Sequence, residues 1–272
     1  MIPESETARG TAPQADISRG VPRRNLRKAV KSLLCRLLCA GVPHTAPRIL
    51  RTLPHDREAF TQGLAYCAGL LYESTGTLSR SSLRCIDPAD GNVRRIVPVV
   101  DDFAEGIAVL GTQLYQLSWK SEKARVYRLP ELRLAAEIPY QGEGWGLASN
   151  GRALVMSNGT SRLRFLDAGL RTTRECKVLL NRIPVKKIND LEWVNGSIYA
   201  NVWHSSSILE LSAAKGTVTR IIDCSSLVAM AAPAHEEAVL NGIAYNAESD
   251  TFFLAGKNWD LMFEVAIPAR VR

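Results

Sequence analysis

The chain has 272 residues, 46% hydrophobic and 22% charged, which suits one globular domain or one closed repeat array. Its formal net charge is +7, but the first 50 residues hold nine lysines and arginines against three carboxylates. The remainder is close to neutral and has no basic stripe to neutralise phosphates, which excludes nucleic-acid binding by the folded part.

Residues 1–46 read as a basic leader apart from the rest, disordered or an export signal. Residues 1–22 are polar. Arg23-Arg24-Asn25-Leu26-Arg27-Lys28 then precedes an apolar run over residues 33–41, the plan of a signal with paired arginines. Arg36 interrupts that run, and a basic amphipathic tail is the alternative. Export would place the protein in the periplasm or outside the cell. No segment is long and apolar enough for stable membrane insertion.

Residues 47–272 repeat. Five apolar anchors, Leu64, Ile107, Leu147, Leu191 and Ile243, close a short phrase whose polar head changes each time. The copies are Gln62-Gly63-Leu64, Glu105-Gly106-Ile107, Trp145-Gly146-Leu147, Asn189-Asp190-Leu191 and Asn241-Gly242-Ile243. The anchors lie 43, 40, 44 and 52 residues apart, the spacing of four-stranded propeller blades. Each unit reads as strands: residues 64–66 and 71–74, then 82–86, a turn at Asp87-Pro88-Ala89-Asp90-Gly91, then 93–97. The fifth unit lacks a last strand, while residues 48–53 form a strand with no unit of their own. Pairing the two removes two exposed edges. The expected fold is an all-β, five-bladed β-propeller closed by an N-terminal strand. The spacer over residues 229–237 has room for a short helix.

Two columns of the repeat converge on the channel mouth. Two residues before the anchors stand Gln62, Glu105, Trp145, Asn189 and Asn241. At the ends of the second strands stand Gly76, Trp119, Gly159, Trp203 and Lys257, with glycines making room and tryptophans making walls. Phe60 and Phe103 precede Gln62 and Glu105 by two residues. One carboxylate among tryptophans is desolvated, which raises its pKa toward the range of a proton shuttle. Carboxamides and a lysine beside it suit a polar substrate with a developing oxyanion. Each of these residues alone also fits blade packing; together they suggest a site. Gly142-Glu143-Gly144-Trp145-Gly146 has the look of a phosphate loop, but no helix follows.

None of the six cysteines forms a Cys-x-x-Cys pair, and none has a histidine at metal spacing. Cys67, Cys85, Cys176 and Cys224 read as buried thiols, a disulfide remaining open if the chain is exported.

Several runs, in order, resemble the plant and bacterial type of glutaminyl cyclase. They are Pro54-His55-Asp56, Phe60-Thr61-Gln62-Gly63-Leu64, Tyr72-Glu73-Ser74-Thr75-Gly76, Glu105-Gly106-Ile107 and Gly144-Trp145-Gly146-Leu147. They continue through Asn189-Asp190-Leu191-Glu192-Trp193, Tyr199-Ala200-Asn201-Val202-Trp203, Leu240-Asn241-Gly242-Ile243-Ala244 and Gly256-Lys257. The resemblance covers about residues 48–267. It implies a five-bladed, metal-independent acyltransferase without cofactor, expected to be monomeric, acting on peptides or proteins with N-terminal glutamine. It implies Glu105 as catalytic acid/base and Phe60, Gln62, Phe103, Trp119, Trp145, Asn189, Trp203 and Lys257 as substrate-binding residues. The family's Phe-Gly-Glu-Gly is Phe103-Ala104-Glu105-Gly106 here, and its Ser-Asp-Gly is Ser157-Asn158-Gly159. The alternatives are a calcium-dependent lactone hydrolase-like propeller, with Glu105, Asn189 and Asn241 as oxygen ligands, and a non-catalytic peptide-binding propeller.

Overall fold

Short runs of β-formers, cut by turns with self-capping side chains, dictate strands throughout. In the Asp87–Gly91 turn the Asp87 carboxylate accepts the Ala89 N–H at 2.8 Å and the Asp90 carboxylate accepts the Asn92 N–H at 2.9 Å. Gly91 takes the left-handed backbone there, with φ of 79°. The computed structural model describes residues 40–269; the expectations for residues 1–39 lie outside them.

The described strands form five four-stranded antiparallel blades, with a small two-stranded sheet, Leu179–Leu180 against Ile183–Pro184, between blades III and IV in the chain. Blade I comprises Thr61–Cys67, Leu70–Thr75, Ser81–Ile86 and Val93–Val99; blade II comprises Ala104–Leu110, Gln113–Ser118, Lys123–Arg128 and Arg133–Pro139. Blade III comprises Leu147–Ser149, Leu154–Met156, Arg162–Leu166 and Thr172–Lys177; blade IV comprises Ile188–Val194, Ser197–Val202, Ser207–Ser212 and Val218–Asp223. Blade V comprises Leu240–Asn246, Thr251–Gly256 and Leu261–Ala266, with Arg48–Pro54 hydrogen-bonded to the last of these as its fourth strand. Each first strand touches the next around the ring, and Leu240–Asn246 returns to Thr61–Cys67. The fold is the five-bladed β-propeller that the anchor spacing implies. His44–Thr45, within the leader as read from sequence, pairs in parallel with Val218–Asp223, and the compact unit starts at Gly41.

Apolar side chains fill the seams between blades. Ala65, Tyr72 and Leu83 of blade I meet Ile107, Leu114 and Tyr127 of blade II. Tyr115 and Val126 meet Leu147 and Leu154 across the next seam. Leu53, Leu64 and Leu71 meet Phe253 and Met262 where the ring closes.

The glycine of the repeated phrase is set by the axis. A Cβ on Gly63 would lie 2.8 Å from the Ile107 nitrogen, on Gly106 2.6 Å from the Gly146 Cα, and on Gly146 2.1 Å from the Asn189 oxygen. The first strands approach too closely there for side chains. Blade IV alone places a side chain at this position, and the buried Asp190 carboxylate accepts the N–H groups of Ile243 at 2.9 Å and Leu64 at 3.4 Å. One acid thus ties three blades together at the centre.

The helix expected in the 229–237 spacer is displaced. It runs Ser225–Ala231, burying Leu227 and Ala231, and ends where Ala232 turns left-handed ahead of Pro233.

Candidate active site

In four blades the pairing of the first two strands slips at the variable head: between Thr61 and Gly63, Ala104 and Ile107, Ile188 and Leu191, and Leu240 and Ile243. A bulge re-aims the bulged side chain out of plain alternation. The convergence of Gln62, Glu105 and Asn189 therefore comes from a repeated bulge rather than from strict period-two alternation along the strand. In blade III the first strand begins only at Leu147, and Trp145 is held instead by its N–H bond to Ser157 O at 3.0 Å.

A second recurring bond fixes the second column. The N–H groups of Gly76, Trp119, Trp203 and Lys257 donate to the carbonyls of Phe60, Phe103, Lys187 and Val239 at 2.9 Å in each case. The two glycines do make room. A Cβ on Gly76 would lie 2.3 Å from the Phe103 ring, and one on Gly159 2.6 Å from the Trp145 ring.

The result is one pocket of about 370 Å³ lined by Phe60, Gln62, Phe103, Glu105, Trp119, Trp145, Asn189, Trp203, Glu237 and Lys257. All nine residues singled out from the sequence line it. Asn241, expected to converge with them, is absent from the lining. Its amide nitrogen donates instead to the carbonyls of Thr61 at 3.0 Å and Gln62 at 3.1 Å, bracing blade I against blade V. Glu237 joins from the spacer between blades IV and V, accepting the Trp203 indole N–H at 3.3 Å. No repeat position marks it.

The aromatic walls form two groups. Phe60 meets Phe103 edge-on at 6.4 Å, and Phe103 meets Trp119 at 5.5 Å. Trp145 meets Trp203 edge-on at 5.9 Å, and Trp203 lies 4.4 Å from the His204 ring. The Lys257 Nζ sits 4.5 Å from the centre of the Phe60 ring.

Glu105 is 5% exposed and accepts no hydrogen bond from any described side chain. Burial pushes its pKa well above 4.5; Lys257 pulls the other way, while Asp190 and Glu143 add to the rise. Burial likewise lowers the pKa of Lys257, against the pull of Glu105, Glu237 and Asp190. The Gln62 Oε1 and Asn189 Oδ1 atoms are buried and lack a partner among the described residues. The site therefore holds a buried carboxyl with a raised pKa, a lysine and two open amide acceptors in an aromatic enclosure. That set suits amide chemistry on a small flexible group.

The glutamine cyclotransferase family model matches residues 26–267. A glutaminyl-peptide cyclotransferase of Arabidopsis thaliana is 34% identical over 226 residues, spanning 80% of this chain and 70% of that protein. The crystal structure of Myxococcus xanthus glutaminyl cyclase superposes with a TM-score of 0.80 at 37% identity, covering 85% of this chain and 100% of that one.

Proposed function

We propose, given that this chain belongs to the glutamine cyclotransferase family, that it cyclises the N-terminal glutamine of peptides or proteins to pyroglutamate with Glu105 as sole proton carrier. The enzyme class is aminoacyl transfer within one substrate: the α-amine nitrogen bonds to the γ-amide carbon, and the bond from that carbon to its amide nitrogen breaks, releasing ammonia.

The observation that carries this reading is the Glu105 carboxyl, buried without a hydrogen-bond partner among the described residues in an aromatic-walled pocket of about 370 Å³. As the carboxylate it takes a proton from the attacking amine. It returns that proton to the departing nitrogen, so the group ends as it began. Such a shuttle supplies about 10² to 10⁴ in rate, and its pKa is best placed near the working pH, the direction in which burial moves it. The Lys257 ammonium and the amide N–H groups of Gln62 and Asn189 stabilise the tetrahedral oxyanion. The open Gln62 Oε1 and Asn189 Oδ1 atoms can accept N–H donors of the substrate. Trp119, Trp145 and Trp203, with Phe60 and Phe103, fold the glutamine side chain back toward its own amine and exclude water.

The chain acts as a monomer, without metal, after export. No helix among the described residues is long and apolar enough to cross a membrane. Cys67, Cys85, Cys176 and Cys224 are free thiols in the structure. An ammonia-coupled assay tests the reading. A glutamine-initiated peptide should yield ammonia, before and after chelation, while the same peptide led by asparagine should not. No ammonia from the glutamine peptide would refute the reading.

A further inference from the structure

Four residues before each anchor, the repeat carries a third column: Phe60, Phe103, Glu143, Lys187 and Val239. Its two phenylalanines line the pocket, and Glu143 holds the same repeat position in blade III, behind the lining tryptophans rather than in the lining itself. The Gly142–Gly146 loop that resembled a phosphate cradle holds this one side chain in position. The Gly142 N–H bonds the Glu122 carboxylate at 2.8 Å, and the Gly144 N–H bonds the Trp119 carbonyl at 3.2 Å. A Cβ on Gly144 would lie 2.4 Å from the Tyr140 hydroxyl, so the loop packs too tightly there for any side chain.

One carboxylate oxygen, Glu143 Oε2, accepts the indole N–H of Trp119 at 3.1 Å and that of Trp145 at 3.1 Å. These tryptophans belong to the two different aromatic groups: Trp119 to that of Phe60 and Phe103, Trp145 to that of Trp203. Glu143 is thus the polar link that joins both halves of the enclosure.

We propose that Glu143 is a positioning residue of the cyclisation: by holding two indole N–H groups on one oxygen, it fixes the facing aromatic walls at the separation that folds the substrate's side chain toward its amine. The proposal rests on the cyclase reading of the pocket. Its negative charge has a second consequence. Glu105 is faced by Lys257, Asp190, Glu143 and the Tyr140 hydroxyl, and the Glu143 charge favours the protonated form of Glu105.

Two variants separate the roles. Glu143→Ala removes the shared acceptor. Glu143→Gln keeps an oxygen able to accept two N–H donors but drops the charge. Measured on a glutamine-initiated peptide, Glu143→Ala should lose about 10² in kcat/KM, the cost of misplacing a near-attack geometry. Its near-UV circular dichroism should lose intensity as the indoles become mobile. Glu143→Gln should keep the wild-type near-UV spectrum and retain most of the activity lost by Glu143→Ala. Its acid limb of kcat/KM should move to lower pH, because the Glu105 carboxylate loses a repelling neighbour. Should Glu143→Ala fold poorly, Glu143→Gln still tests the clamp, through its retained near-UV spectrum and kcat/KM. Wild-type kcat/KM and a wild-type near-UV spectrum in Glu143→Ala would overturn the proposal. So would a Glu143→Gln enzyme as slow as Glu143→Ala with its spectrum intact, since charge rather than the clamp would then matter. A wild-type enzyme that releases no ammonia would instead sink the cyclase reading, and the near-UV spectra would still decide whether Glu143 holds the indoles.

Discussion

Glu73 and Glu105 are both buried carboxyl groups, and their surroundings treat them oppositely. Glu73, with a fully buried side chain in blade I, accepts the Thr61 hydroxyl at 2.7 Å and bonds His55 Nε2 at 2.8 Å, with Arg84 at 3.8 Å. Burial alone would raise its pKa, but His55, Arg84 and Thr61 outweigh burial and lower it. Glu105 is also buried, gains only the more distant attraction of Lys257, and its pKa rises. Burial does not set the direction; the supply of partners does. The seam where residues 48–54 join the ring is supplied with partners for its acid, and the pocket leaves its acid for the substrate.

That contrast breaks most sharply at Glu105. Glu105→Gln should lower kcat by about 10² to 10⁴ while its unfolding midpoint in denaturant stays at or above that of the wild type. A clear loss of stability would make Glu105 structural. Lys257→Met, which keeps the stem over Phe60 but removes the charge, should cost about 10² in kcat/KM as an oxyanion partner is lost. An unchanged kcat/KM would remove Lys257 from the chemistry.

The reverse change, Glu73→Gln, should leave turnover per folded molecule near wild type and destabilise by about 3 kcal/mol, because His55 and Arg84 lose their buried partner. Equilibrium unfolding reads this directly, and a loss of turnover without a loss of stability would erase the contrast.

The smallest expected effect is on the pH dependence of stability. The raised Glu105 pKa makes the folded state hold a proton that the unfolded chain has released. Stability therefore falls as pH rises from 4.5 toward the folded value, and Glu105→Gln should flatten that fall. Asp190 and Glu192, the latter pushed up to about 8 by burial, contribute in the same sense, so part of the fall should persist. The seam behaves differently. The lowered Glu73 pKa gives stability that is present above 4.5 and lost as pH falls through its folded value. The raised His55 pKa, where Glu73 outweighs the cost of burial, gives stability that is present below 6.5 and lost as pH rises through its folded value. Glu73→Gln should remove both flanks. Parallel pH profiles in the two variants would contradict the comparison.

Much of this was legible in the chain because a propeller repeats its backbone. Leu64, Ile107, Leu147, Leu191 and Ile243 mark the blades, since each must fill a seam whatever its neighbours do. The same register brings Gln62, Glu105, Trp145 and Asn189 to one pocket. Asn241 shares their offset but turns into a backbone brace, because the bulge leaves two carbonyls of blade I within reach of its amide. Glu143 could have been found by extending the column of Phe60 and Phe103, but its glycine neighbours suggested a phosphate loop. Glu237 carries no periodic signal, since it lies in the spacer after the helix, where tertiary packing alone decides position. The pairing of His44–Thr45 with blade IV is equally invisible: two residues are too few to show a strand period.

The Glu105 carboxyl is the proton carrier of the proposed reaction and titrates at a raised pKa, a claim that infrared difference spectroscopy between the wild type and Glu105→Gln tests directly. A protonated-carboxyl band belonging to Glu105 should persist as pH rises above 4.5, then titrate together with the acid limb of kcat/KM. A Glu105 band that disappears at the ordinary carboxylate pH, or that titrates apart from that limb, would contradict it.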